Sequence, residues 1–291
     1  MSLLNKSDTI NNTYEVKLFI GQGAFGEVYS VNHKFFGIQV LKVFKEKYIE
    51  NSDIDTVINE ARILSSLSHE NIVRVFEVND FIKNNKKHYF ITMGFVHGET
   101  LSDLLKRKIS LDLVTALKLQ IDLLKGLSKA HSNKIVHRDI CPDNILICHE
   151  KNSPKALLSD FGLSQNLDQL DKISGVAGKV KYFAPECSTG IYLPTSDVFS
   201  SGMVFYKMIT GLLPWSYDID IEDSEQEITR KIFLSRRKKP ISPSLLKDGI
   251  DEKLSNIILK SLSLDIEKRY NNSNAFLKEL VNFNKEFKIF Q

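Results

Sequence analysis

His137-Arg138-Asp139-Ile140-Cys141-Pro142-Asp143-Asn144 is followed, after the short apolar segments NILI and ALLS, by Asp160-Phe161-Gly162. An aspartate near an acceptor hydroxyl orients it and takes its proton, which makes Asp139 a candidate catalytic base. Asn144 and Asp160 offer the oxygen ligands that magnesium prefers. Downstream, Ala184-Pro185-Glu186 closes a loop-like segment. Each string is common alone; their order and spacing together are specific.

Upstream, Gly21, Gly23 and Gly26 form GQGAFGEV between two strand-like runs. Glycine lets backbone N–H groups approach phosphates closely. The same string serves dinucleotide-binding folds, where a helix follows and an acidic residue comes about 20 positions later. Here a strand follows, and the next conspicuous residue is Lys42, a cation suited to a triphosphate. Lys42 alone reads as a surface lysine and Glu60 alone as a solvated helix residue. Paired across a helix–sheet boundary, they would fix the lysine against phosphates.

Working outward, YEVKLFI alternates from Tyr14, and FGIQVLKVF continues the strand pattern. Residues 53–67 carry Ile54, Val57, Ile58, Ala61 and Leu64 at helical spacing. IVRVFEV and HYFITM flank the polar turn KNNKK and predict a hairpin. Beyond Gly98, LSDLLKRK and LDLVTALKLQIDLLKGLSKAH are helical, and helical patterns dominate after Asp197. The prediction is an α+β chain: a polar extension (1–13), a strand-rich lobe with one helix (14–93), a connector (94–97) and a mainly helical lobe (98–291).

The first dozen residues are polar and are expected to fray. The 291 residues are 42% apolar and 26% charged, with a formal charge of +3. So slight an excess argues against nucleic-acid and membrane partners. The basic run Arg236 to Lys239 reads as a solvated loop face, with a localisation signal or docking patch as the alternatives. Cys141, Cys148 and Cys187 lack disulfide or CxxC spacing and suit a reducing cytosol. No secretory leader is visible, and no stretch approaches the ~18 apolar residues of a membrane span. A soluble, cytoplasmic protein is expected, and delivery into a host cell remains compatible with it.

These motifs resemble those of the eukaryotic-type (Hanks-type) serine/threonine protein kinases, from about Tyr14 to Phe283. The resemblance implies a bilobal fold, an antiparallel-sheet lobe and a larger helical lobe, with ATP and Mg²⁺ bound between them. Gly21, Gly23 and Gly26 would cover the phosphates. Lys42 would contact them while pairing with Glu60. Val28 and Val40 would line the adenine pocket, with Met93 as gatekeeper and Gly94, Phe95 and Val96 as hinge. Asp139 would be the base, and Asn144 and Asp160 would hold magnesium. Leu64, Val75, His137 and Phe161 match the apolar stack of active enzymes. Asp197 and Gly202 match the helix that anchors the catalytic loop, and Glu186 should pair with Arg269.

Two departures bear on mechanism. The family usually has Lys two residues after the catalytic Asp, where this chain has Cys141. It usually has Thr or Ser five residues before the Ala of APE, where this chain has Lys179. Some bacterial members are similar in this respect. Lys179 is expected to replace the missing ammonium beside Asp139, against the alternative that it points to solvent. Cys141 reads as a small neutral filler rather than a redox sensor. Val40 for Ala tightens the adenine roof, and Phe199 stands for the usual Trp. Arg138 suggests control by loop phosphorylation, with Ser174 the candidate autophosphorylation site ahead of Ser164.

The resemblance implies ATP-dependent phosphorylation of protein serine or threonine. A nucleotide-binding scaffold without activity is the alternative, with Cys141 its only foothold. A small-molecule kinase is less favoured because such enzymes lack the APE segment. Oligomeric state is not legible.

Overall fold

Alternating apolar residues from Tyr14 onward build one antiparallel sheet in the computed structural model, which describes residues 2–23, 26–45, 64–150, 153–161, 177–220 and 222–290. The chain divides into two compact units, Met1–His97 and Gly98–Gln291. In the first, strands β1 (Thr9–Ile10), β2 (Tyr14–Gln22), β3 (Gly26–His33), β4 (Gly37–Phe44), β5 (Val75–Lys83) and β6 (Lys86–Gly94) run in the order β1-β2-β3-β4-β6-β5. The hairpin β5–β6 turns on Asn84 and Asn85, with φ of 52° and 59°. Two successive left-handed residues match the twist of the flanking strands, and asparagine tolerates that conformation. The strands therefore continue into Lys83 and Lys86, beyond the apolar pattern.

One face of this sheet buries Tyr14, Val16, Tyr29, Val31, Leu41, Val43 and Phe90. The expected fraying of the N-terminal residues is overturned there. Leu4 and Ile10, each 3% exposed, join that core, with Leu3 packed against it. The Leu4 N–H donates to the Tyr29 hydroxyl at 3.0 Å, the Ser7 N–H to Val16 O at 2.8 Å, and Lys83 pairs with Asp8 at 2.5 Å. A mostly polar segment hid the few apolar side chains needed to dry one sheet face. Of the predicted helix at 53–67, only the end is described: residues 64–66 are helical and Leu64 is buried.

The second unit holds a small antiparallel sheet, β7 (Gly98–Thr100), β8 (Ile145–Glu150) and β9 (Ser153–Leu158), in the order β7-β8-β9. Its helices are α1 (Leu101–Lys108), α2 (Leu113–Ser132), α3 (Ala177–Val180), α4 (Pro194–Thr210), α5 (Glu225–Ser235), α6 (Pro243–Leu246), α7 (Glu252–Ser261) and α8 (Ser273–Phe287). Helix α2 starts where Asp112 accepts the Thr115 N–H at 2.9 Å, a side-chain cap on an otherwise orphan donor. Helix α4 is buried on nearly every side, so it forms the axis of the unit rather than an amphipathic face. A Cβ on Gly202 would lie 2.1 Å from Ser261 Oγ, so glycine lets α7 pack closely on α4. Among the described residues no helix is long and apolar enough to cross a membrane.

Candidate active site

The loop bearing Asp139 is held by the first turn of α4. Asp197, 2% exposed, accepts the His137 N–H at 2.7 Å on Oδ2 and the Arg138 N–H at 2.9 Å on Oδ1. His131 Nε2 lies 2.8 Å from the same Oδ2, and its Nδ1 meets Ser273 Oγ at 2.9 Å. Arg138 has φ +67°, a conformation that costs a non-glycine residue energy and persists only where the surroundings impose it. The two hydrogen bonds to Asp197 impose it. His137 is fully buried, packs its ring at a tilt against Phe161 with centroids 4.4 Å apart and meets Ser159 O at 3.0 Å. Burial lowers its pKa and favours the neutral ring.

This scaffold presents the Asp139 carboxylate asymmetrically. Oδ2 accepts Asn144 Nδ2 at 2.7 Å and Lys179 Nζ at 2.5 Å. Among the described residues, Oδ1 has only the Cys141 thiol, at 3.9 Å. Asn144 Nδ2 also reaches Asp139 O at 2.8 Å, which leaves its side-chain oxygen as an acceptor. Burial alone opposes the Lys179 ammonium, yet Asp139 against it and Asp160 nearby hold its pKa above the ordinary lysine value. Burial and the Asp139 charge push the Cys141 thiol far upward, so it is protonated and unsuited to a thiolate sensor.

Asn144 immediately precedes β8 and Asp160 follows shortly after β9. The antiparallel pairing Ile145↔Leu158 therefore brings the two ends together, and Ser159 N and Oγ both donate to Asn144 O at 3.0 Å. Asp160 adopts φ +51° at this junction.

In the first unit, register collects another set of candidates. Val28 pairs with Lys42, Lys42 with Ile91, and Val40 with Met93. Cross-strand partners share a face, so Val28, Val40, Lys42 and Met93 lie together, opposite the core that Leu4 covers. The glycines divide by cause. A Cβ on Gly26 would sit 2.3 Å from Val43 O, whereas one on Gly21 or Gly23 would meet nothing within 4 Å. Gly26 thus answers strand packing, whereas Gly21 and Gly23 leave the space beside their α-carbons open, the Gly23 N–H itself being taken by Gly26 O at 2.9 Å. The Gly94 N–H is taken by Arg74 O at 2.9 Å, while Phe95 and Val96 are half-buried. Glu60, Gly162, Ser164 and Ser174 lie outside the described residues.

Glu186 and Arg269 form a buried ion pair at 2.7 Å, joined by Ser196 Oγ at 2.7 Å on the carboxylate and Thr195 O at 2.9 Å on the guanidinium. Burial would raise the Glu186 pKa; Arg269 outweighs it and holds it low. Sequence reasoning misplaced Arg236. It is 1% exposed, not part of a solvated face, and donates to the carbonyls of Phe183 and Lys181 at 2.6 and 2.9 Å. Its place among four basic residues carried no sign of this, because the aromatic box around it assembles only on folding.

The family described as "Protein kinase domain" matches residues 14–281. A probable serine/threonine-protein kinase of Clostridium perfringens is 29% identical over 95% of this chain and 39% of its own length. Serine/threonine-protein kinase PrkC of Bacillus subtilis is 29% identical over 90% of this chain and 39% of its own length. The chain thus spans about two fifths of the length of these curated relatives. Among solved structures, the kinase domain of Mycobacterium tuberculosis PknI superposes with a TM-score of 0.72 at 21% identity, covering 96% of this chain and 98% of that one. Rad53 in complex with AMP-PNP superposes with a TM-score of 0.71 at 24% identity, covering 92% and 64% respectively. With its sheet unit, its helical unit and its ordered set of motifs, the chain belongs to the protein kinase domain family.

Proposed function

We propose that this chain transfers the γ-phosphate of ATP to serine or threonine hydroxyls of proteins, with Lys179 supplying the cation that the Asp139 loop lacks. The observation that carries this reading is the Asp139 carboxylate, fixed through Oδ2 by Asn144 and Lys179 with Oδ1 left toward an acceptor. Oδ1 takes the acceptor's proton as its oxygen bonds to the γ-phosphorus and the bond to the ADP oxygen breaks. The donor set fits magnesium, since Asn144 keeps an amide oxygen and Asp160 adds a carboxylate. When bound, the ion neutralises phosphate charge. Gly21 and Gly23 leave room for phosphates along the backbone, and Lys42 shares a sheet face with Val28, Val40 and Met93, as a triphosphate and an adenine need. Lys179, held charged by Asp139, stabilises the transferring phosphoryl group.

The buried Glu186–Arg269 pair supports a protein acceptor, because it anchors the end of the segment that runs on from Lys179 within the helical unit. The expected autophosphorylation at Ser174 belongs to the same proposal, as does placement in a reducing compartment for the three free cysteines.

The test is labelled ATP with Mg²⁺ and myelin basic protein, followed by phosphoamino-acid analysis and phosphosite mapping. Phosphoserine or phosphothreonine formed by the wild type and lost in Asp139→Asn is expected. ATP binding without transfer to any protein would replace this reading with a nucleotide-binding scaffold. Full activity with Ser174 unmodified would remove that site.

A further inference from the structure

We infer that Arg236 is a positioning residue for phosphoryl transfer: it holds the backbone of residues 180–183 so that Lys179 meets Asp139. The inference rests on the role proposed above for Lys179. Arg236 follows α5 directly, and it acts on the backbone beside Lys179 rather than on the reacting groups. Its Nη1 donates to Phe183 O at 2.6 Å, and its Nη2 to Lys181 O at 2.9 Å and Val180 O at 3.4 Å. Three carbonyls from one short segment thus converge on one planar cation, whose rigid fork of donors suits that arrangement.

The guanidinium is also boxed by rings. Its carbon lies 5.2 Å from the Phe199 centroid, 5.8 Å from Trp215 and 5.2 Å from Phe233. Trp215 is fixed in turn, with Nε1 donating to Lys238 O at 2.8 Å and its ring stacked 6.2 Å from Phe199. Phe199 sits on α4 two residues after Asp197, which clamps the backbone of His137 and Arg138. Both halves of the Lys179–Asp139 pair are therefore referenced to one buried helix, Asp139 through Asp197 and Lys179 through Phe199 and Arg236. The segment itself is a tight turn, with Tyr182 N donating to Lys179 O at 2.8 Å and Phe183 N to Val180 O at 3.1 Å. Among the described residues Arg236 is the donor that the Lys181 and Phe183 carbonyls meet, while the buried side chains of Val180, Tyr182 and Phe183 pack the same turn. A displacement of even an ångström at a charged catalytic group is costly to rate.

The experiment is a double-mutant cycle on the purified full chain, read as kcat and KM with ATP and myelin basic protein, beside melting temperature. Arg236→Met keeps a long apolar side chain among the rings and removes all donors. Arg236→Lys keeps the charge and one donor site. With Lys179 present, Arg236→Met is expected to lower kcat on the order of tenfold or more with little change in the KM for ATP. In the Lys179→Ala background the same change is expected to cost less than about twofold, because the positioned group is gone. Arg236→Lys should recover part of the rate in the first background only.

An equal loss in both backgrounds would overturn the inference and leave Arg236 a purely structural residue. If Arg236→Met does not fold, Arg236→Lys carries the same comparison: a loss confined to the Lys179 background supports positioning, and an equal loss in both overturns it. An unchanged kcat in Lys179→Ala alone would instead remove the proposed role of Lys179, a result distinct from additivity at Arg236.

Discussion

Lys179 Nζ lies 2.5 Å from Asp139 Oδ2, across 40 residues of chain, and Asn144 Nδ2 shares the same oxygen. The family's usual lysine two residues beyond the base is here Cys141, whose thiol is protonated and 3.9 Å from the other oxygen. The cation has moved to a different element, and it approaches the carboxylate from the segment that Arg236 holds.

Removing that cation should slow chemistry rather than binding. Lys179→Ala is expected to lower kcat by about 10²- to 10³-fold, the usual consequence of deleting one preorganised charge-stabilising donor. Steady-state kinetics with ATP and a protein acceptor check it. A rate within about threefold of wild type would mean that Lys179 serves structure alone.

The loop glycines should separate by phenotype. Gly26→Ala forces a Cβ to 2.3 Å from Val43 O and is expected to lower the melting temperature measurably. Gly23→Ala has open space and should leave the melting temperature alone while weakening ATP binding, read by calorimetric titration. Equal melting temperatures for the two variants would contradict this division.

Leu4 is 3% exposed against the sheet core, so Leu4→Ala is expected to cost about 2–4 kcal/mol in urea unfolding. The nearby exposed Lys6→Ala serves as the control and should stay within about 0.5 kcal/mol. Indistinguishable midpoints would mean that the N-terminal segment contributes nothing to stability.

The Glu186–Arg269 pair predicts acid sensitivity. The folded pKa of Glu186 lies below its ordinary value of 4.5. Its contribution is therefore complete above about pH 4.5 and is lost as pH falls through the folded pKa, where the unfolded chain binds the proton more readily. Arg269→Met leaves a buried carboxylate without its partner and is expected to destabilise the fold by about 3–5 kcal/mol near neutrality. Its stability should also lose the decline below pH 4.5 that Glu186 gives the wild type. Denaturant midpoints measured from pH 3 to 7 check both, and parallel curves for variant and wild type would sink the linkage.

Much of the site was legible because its parts are local in sequence. The Asp139–Asn144 spacing, the NILI and ALLS strands and the Asp160-Phe161 pair sit within one hairpin and its flanks, so β pairing alone brings Asn144 to Ser159. The face holding Val28, Val40, Lys42 and Met93 follows from strand alternation with period two. Glycine spacing, by contrast, could not say that Gly26 answers the Val43 carbonyl and Gly23 does not, because that depends on how closely a neighbouring strand approaches.

The sequence by itself determined the element pattern, the family resemblance and the candidate for the base, because periodicity and short motifs are properties of neighbouring residues. Only the tertiary structure decided where Leu4 and Arg236 go, whereas Lys179 lies against Asp139 as the resemblance implied. Leu4 and Arg236 sit in stretches whose composition reads as surface, and each was placed by partners far along the chain: Tyr29 for Leu4, and the ring box with the 180–183 carbonyls for Arg236. Charge and polarity predict solvent exposure only on average. A single cation can be buried when folding supplies a carboxylate or converging carbonyls, and no local pattern records that supply.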